Sequence, residues 1–245
     1  MGILRPVRAP VFEIGPKGYL WGPAALALAT ATDAVATRLD VDVIYDPQVA
    51  DLAACAAATS RIHVWAQHVD PLPPGRGHGS ILAEAVRAAG ATGVLLNHVE
   101  RRLSPADLAA SVARAHEAGL QTLVFADTPE EAGRYARDLR PAIVLAEPPS
   151  LIGTGQSAGA FMADFVAATV EAVKGVDPGI LVMSGAGVSG PDDVERMIEL
   201  GLDGTGASSG ICKAPDPAAV MTSMLEALAR AWTRVHPTPR KDSPA

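Results

Sequence analysis

Cysteine is scarce in this 245-residue chain, with Cys55 and Cys212 as its two representatives, far apart and outside any CxxC spacing. That excludes a disulfide framework or a zinc site as an organising device and makes a reducing cytosol the default compartment. Aromatic residues supply only 4% of the chain, so a core must be built from Ala, Val, Leu and Ile. No apolar run reaches the roughly 18 residues of a membrane span, and the N-terminal MGILRPVRAP lacks the apolar stretch of a signal peptide. Basic charge is also short. Lys and Arg number 20 against 27 Asp and Glu, a formal net charge of −7, which argues against a nucleic-acid partner.

Apolar residues are abundant, at 49%, enough for a large core in one domain or two small ones and too many for a disordered chain. Gly 23 and Pro 20 add frequent turns. Short apolar runs bounded by turn residues predict buried strands at Val11–Ile14, Val41–Tyr45, Ile62–Ala66, Thr92–Leu96, Thr122–Ala126, Ile143–Ala146, Ile180–Met183 and, weakly, Asp203–Gly206. Helical spacing and start signals predict helices over Pro23–Arg38, Pro47–Thr59, Ile81–Ala89, Ser104–Ala118, Thr128–Leu139, Ala158–Val173, Gly190–Leu200 and Pro217–Arg230. Strict alternation with continuous apolar strands calls for a parallel sheet covered on both faces, and eight units match a (β/α)8 barrel of the α/β class. A doubly wound open sheet is the alternative, but its glycine fingerprint after the first strand is absent. The expected organisation is one barrel domain over residues 1–234 and a disordered tail over 235–245.

A barrel places chemistry in the loops after the strand C-termini. After the first strand, Lys17 stands between Gly15-Pro16 and Gly18. After the fourth comes Asn97-His98-Val99-Glu100-Arg101-Arg102. A capped helix start accounts for that run as well as a site does, but a histidine at a helix N-terminus should stay neutral and serve as a hydrogen-bond donor. After the sixth, Glu147 leads Pro148-Pro149-Ser150-Leu151-Ile152-Gly153-Thr154-Gly155. Desolvation at the strand end should raise that carboxyl toward the range of a useful general base, and the stiff ends around Leu151 and Ile152 suit a hinged lid. Ser184-Gly185-Ala186-Gly187-Val188 and Ala207-Ser208-Ser209-Gly210 follow the last two strands. Their small residues would let backbone N–H groups approach a phosphate.

These pieces resemble the triosephosphate isomerase family, most of all its shorter archaeal-type branch, over roughly Val11 to Arg230. The most specific matches are Leu95-Leu96-Asn97-His98 with Glu100-Arg101-Arg102, and Glu147-Pro148-Pro149 with Leu151-Ile152-Gly153-Thr154-Gly155. Ala66-Gln67-His68-Val69-Asp70-Pro71, Ser184 to Ser189, and Gly210 with Lys213-Ala214 add to them. The resemblance implies an aldose–ketose isomerase that interconverts glyceraldehyde 3-phosphate and dihydroxyacetone phosphate, or a related short-chain sugar phosphate, within glycolysis and gluconeogenesis in the cytoplasm. Glu147 would take a proton from the carbon beside the carbonyl, neutral His98 would polarise that carbonyl, Lys17 would stabilise the enediolate, and Glu100 would be a buried carboxylate orienting the cluster; triosephosphate isomerase is the standing example of this division of labour. The bland alternative for Glu100 is a salt bridge to Arg101 or Arg102. Gly15 would border the substrate, and Gly153, Gly187, Ser208 and Ser209 would bind its phosphate. No metal or organic cofactor is implied, and the partner is a phosphorylated small molecule, with neither nucleic acid nor membrane.

Three positions depart from the family pattern: Gly15 where it has asparagine, Val99 where it has serine, and His78 where it has threonine. Losing the asparagine amide removes a donor worth about 10²–10³ in rate where charge develops. It also leaves space that a partner's histidine at position 78, or a longer substrate such as a four-carbon ketose phosphate, would occupy. The bland alternative for His78 is a solvated loop residue. The long loop from Gln67 to Gly79 implies a homodimer, with a tetramer as the other arrangement. A diverged paralogue that binds phosphorylated ligands with little isomerase activity is the competing function.

Overall fold

The computed structural model describes residues 5–148, 159–185 and 187–237. Eight parallel strands close into a barrel in sequence order: β1 Val11–Ile14, β2 Asp42–Tyr45, β3 His63–Ala66, β4 Gly93–Leu96, β5 Gln121–Ala126, β6 Ile143–Ala146, β7 Leu181–Ser184 and β8 Gly204–Ala207. Closure comes from β1 against β8, with Glu13 opposite Gly206. Even the weak eighth strand is present, shifted by one residue.

The helices are α1 Gly22–Leu39, α2 Leu52–Ala58, α3 Ala83–Ala88, α4 Pro105–Glu117, α5 Pro129–Leu139, α6 Gly159–Lys174, α7 Pro191–Glu199, α8 Ser209–Cys212 and α9 Pro217–Val235. Their starts follow side-chain chemistry. Ser104, Thr128 and Asp216 each accept a backbone N–H three residues on, and a proline takes the next position, where its missing N–H costs nothing. α2 begins at Leu52 rather than at the expected Pro47. Residues 47–51 serve instead as a loop, in which the Gln48 amide donates to the Lys17 carbonyl (2.6 Å) and the Asp51 carboxylate accepts from the Gly22 N–H (2.8 Å). The short α8 had no counterpart in the periodicity, because four residues carry none.

Two apolar layers result. Val11, Ile44, Trp65, Leu95, Leu123, Ile143 and Met183 fill the inside of the barrel, while a larger cluster lies between strands and helices. At the N-terminal end of the strands, buried Asp42 accepts from Arg5, Arg61, His63 and the Arg8 backbone. At the opposite end the strands open into the loops that form the site.

Candidate functional site

A cavity of about 680 Å³ occupies the C-terminal mouth of the barrel and is lined by residues from the strand ends and the loops after them. Lys17, His98, Glu100 and Glu147 all face it, together with Gly15, Gly187, Ser208 and Ser209. Gly153 lies outside the described residues, as do Leu151 and Ile152 of the expected lid.

The loop after β4 is held by Asn97, which adopts a left-handed backbone with φ of 69°, a conformation asparagine tolerates better than most residues. Its buried side chain donates to the Phe125 carbonyl (3.1 Å) and accepts from the Leu103 N–H (3.1 Å). Arg102 donates to the Asn97 carbonyl (2.8 Å) and pairs with Asp127. That frame aims the ring of His98, which also meets Phe125 edge-on at 4.7 Å between centroids. Nδ1 of His98 accepts from the backbone N–H of Glu100 (3.1 Å), so in the neutral ring the proton sits on Nε2. Burial and the nearby Lys17 ammonium push the imidazolium pKa down to about 4. The ring is therefore a neutral donor at physiological pH.

Lys17 also has a left-handed backbone, with φ of 48°. Its carbonyl is tied by Gln48 and its ammonium stands 3.0 Å from Glu100 Oε1 and 3.4 Å from His98 Nε2. Glu100 departs from expectation. Its side chain is 62% exposed, because Val99–Arg101 form a single 3-10 turn on the cavity rim that carries the carboxylate outward. Its partner is Lys17, and neither Arg101 nor Arg102; although partial burial works against it, the ammonium holds the carboxyl below its usual range. Arg101 is turned to Asp70 instead.

Glu147 follows β6, and its carboxyl is pushed up to about 7, first by burial and then by the negative charge of Glu13, against the pull of Lys17, the Gly185 N–H and Arg102. Glu13 is the surprise of the site. It sits inside an apolar strand sequence, and its side chain points into the barrel, one layer below Gly15. A Cβ on Gly206 would lie 2.4 Å from Glu13 Oε2, and one on Gly15 would lie 2.7 Å from Oε1 and 3.3 Å from Asp46 Oδ2. The expected open space beside Gly15 is therefore filled from within the same chain, by two carboxyls. Glu13 and Asp46 hydrogen-bond to each other, and burial raises both, Asp46 the more strongly. The one available signal was a glutamate in the midst of VFEI, at the inward-facing parity of Val11.

At the phosphate end, Ser208 donates to the Gly15 carbonyl, which ties the β8 loop to the β1 loop. Gly187 has φ of 77°, and Asp193 fixes the following turn by accepting from the N–H groups of Ser189 and Gly190. His78 is exposed in the loop 71–80. The base of that loop is clipped by Asp70, whose carboxylate accepts from the Ile81 N–H at 2.7 Å. Among the described residues no group of three or more His, Cys, Asp or Glu side chains is placed to hold a metal ion, and no helix is long and apolar enough to cross a membrane.

A sequence model of the triosephosphate isomerase family matches residues 22–227. The chain is 38% identical to the triosephosphate isomerase of Methanobacterium bryantii over 210 residues, covering 85% of this chain and 92% of the relative. It is 38% identical to that of Caldivirga maquilingensis over 224 residues, covering 91% and 99%. The crystal structure of triosephosphate isomerase from Bartonella henselae superposes with a TM-score of 0.71 at 21% identity, covering 89% of this chain and 98% of the other, a likeness of fold.

Proposed function

This chain belongs to the triosephosphate isomerase family, and from that we propose that it is an isomerase converting glyceraldehyde 3-phosphate and dihydroxyacetone phosphate, or a related short-chain sugar phosphate, through an enediolate. The observation that carries this reading is a carboxyl raised to about 7 and an imidazole lowered to about 4, facing one cavity. Titratable groups driven apart in this way mark a base and a neutral donor. Ionised Glu147 removes a proton from the carbon beside the carbonyl. The Nε2–H of His98 hydrogen-bonds the carbonyl oxygen as charge builds there and moves protons between the two oxygens. The Lys17 ammonium offsets the negative charge of the enediolate and the phosphate. Exposed Glu100 acts through Lys17, holding its ammonium at the cavity rim. Backbone N–H groups at Gly153, Gly187, Ser208 and Ser209 hold the phosphate, and Gly15 borders the reacting end.

The active form is a homodimer or tetramer in which the loop from Gln67 to Gly79, with His78 exposed on it, reaches a neighbouring subunit. The working unit is a single barrel domain that extends to the end of α9 at Val235, one residue past the boundary expected for the tail, and the compartment is the cytoplasm. A coupled assay on triose phosphates with purified protein tests the activity. Turnover that Glu147→Gln lowers by about 10²–10⁴ supports the proposal; turnover equal in the variant overturns it.

A further inference from the structure

We propose that the Glu13 carboxyl, backed by Asp46, is a substrate subsite that hydrogen-bonds a hydroxyl on a carbon beyond the triose skeleton, so that the preferred substrate is a polyhydroxylated sugar phosphate of four or more carbons. This rests on the isomerase reading above and adds the substrate class to it.

Apolar Val11, Ile44, Leu95 and Met183 lie around the barrel axis, and two carboxyls beside them are costly unless something pairs with them. Among the described residues neither one forms an ion pair; the cation within reach of their field, Lys17, is itself paired with Glu100. Asp46 is 4% exposed and its Oδ1 has no hydrogen-bond donor among the described residues. A buried acceptor left without a donor calls for a ligand or an adjustment that supplies one. Room has been made for the pair on two sides, since a Cβ at Gly15 or Gly206 would meet Glu13. Both carboxyls border the cavity that Lys17, His98 and Glu147 also line.

The chemistry selects among occupants. Two adjacent carboxyls present acceptor oxygens to the cavity, which disfavours a second phosphate. An apolar extension would leave their lone pairs unmet. A hydroxyl donates to one carboxyl oxygen and can accept in turn, and so matches a pair in which one buried acceptor lacks a donor. Because Glu13 lies one strand layer deeper than Gly15, the hydroxyl would reach down the barrel axis while the phosphate stays at the β7 and β8 loops.

The test pairs binding with turnover. The purified chain is titrated with 2-phosphoglycolate and with 4-phosphoerythronate, and assayed on triose phosphates and on a four-carbon ketose phosphate. The wild type should favour the four-carbon compound by about tenfold or more in both measurements, because a site built around a substrate hydroxyl rejects the analogue lacking it. Glu13→Gln and Asp46→Asn should each lower that ratio by about tenfold; effects on the Glu147 base alone would move both substrates together. Gly15→Asn, which displaces the Glu13 carboxyl without removing a charge, should lower the ratio too and serves where a charge variant fails to fold. A wild-type preference for the triose compounds, or none, overturns the subsite, as does a ratio unchanged in the folded variants. If Glu147→Gln leaves turnover unaltered, it is the isomerase reading that fails, and the binding ratio still decides the subsite.

Discussion

The Glu147 carboxyl rests against Gly185 so closely that a Cβ added to that glycine would lie 2.8 Å from Oε1, while the Gly185 N–H donates to the same carboxyl. The β7 loop therefore fixes the position of the proposed base and tempers the rise in its pKa that burial and Glu13 cause. Gly185→Ala should push the carboxylate away from the reacting carbon. Because misplacement of about 1 Å costs on the order of 10²-fold, kcat should fall by roughly that factor. KM should change less than kcat, since the phosphate contact in this loop lies two residues on, at Gly187, and the others are at Ser208 and Ser209. A variant that raises KM and leaves kcat untouched would contradict this placement.

The pH profile should carry the mark of Glu13. With Glu147 raised to about 7, kcat/KM should rise with pH through about 7 as the base ionises. Its neighbours in charge are Glu13, Lys17 and Arg102. Glu13 opposes ionisation, so Glu13→Gln should move this limb to lower pH by roughly 0.5–1 unit, in keeping with the loss of one nearby like charge. A limb that stays in place, or moves upward, would mean that the Glu13 charge is not felt at Glu147.

Much of this was legible in the sequence. The alternation of short apolar runs with capped, proline-started helices specifies the barrel, because each local signal agrees with the fold that its neighbours require. Strand ends moved by only a residue, whereas α2 lost its first turn, since Gln48 and Asp51 are engaged in holding the Lys17 loop. His98, Lys17 and Glu147 were visible because they stand directly after strands. Glu13 and Asp46 were not, because the parity of Glu13 with Val11 says only that it faces inward, and nothing local says which groups it will meet there. Only closure of the barrel brings Gly15, Gly206 and the two carboxyls together. The exposure of Glu100 was equally hidden, as it depends on a single turn at the cavity rim.

His98 should remain neutral far below the usual histidine range. The Glu100 N–H bond to Nδ1 places the proton on Nε2, and the ring is lowered to about 4. In ¹⁵N NMR of the free protein, its two ring nitrogens should keep the shifts of an Nε2–H tautomer from pH 8 down to about 5. Lys17→Met removes one cause of the depression, after burial, and should raise the midpoint. Protonation near 6.5 in the wild type would remove the neutral donor from the mechanism.

Stability should be decided at the other end of the barrel. Asp42 is 2% exposed and accepts from Arg5 (2.7 Å), Arg61 (2.7 Å), the Arg8 N–H (2.9 Å) and His63 (3.2 Å). Burial acts to raise its pKa, but those donors outweigh burial and hold the carboxyl far below its ordinary 3.8. A depressed carboxyl contributes stability that is fully present above its unfolded pKa and is lost as pH falls. Asp42→Asn removes the charge that Arg5, Arg8 and Arg61 share, leaving Arg61 with exposed Asp40 alone, and should cost about 3–5 kcal/mol at pH 7, by urea unfolding. The wild-type advantage should then shrink by about 1.4 kcal/mol per pH unit below about 4, where only the unfolded state takes up the proton. Lying across the barrel from the cavity, Asp42 should affect unfolding while kcat of the folded variant stays near the wild-type value. A gap that is independent of pH down to 2.5 would show that the arginines hold the strand ends through packing and not through this charge.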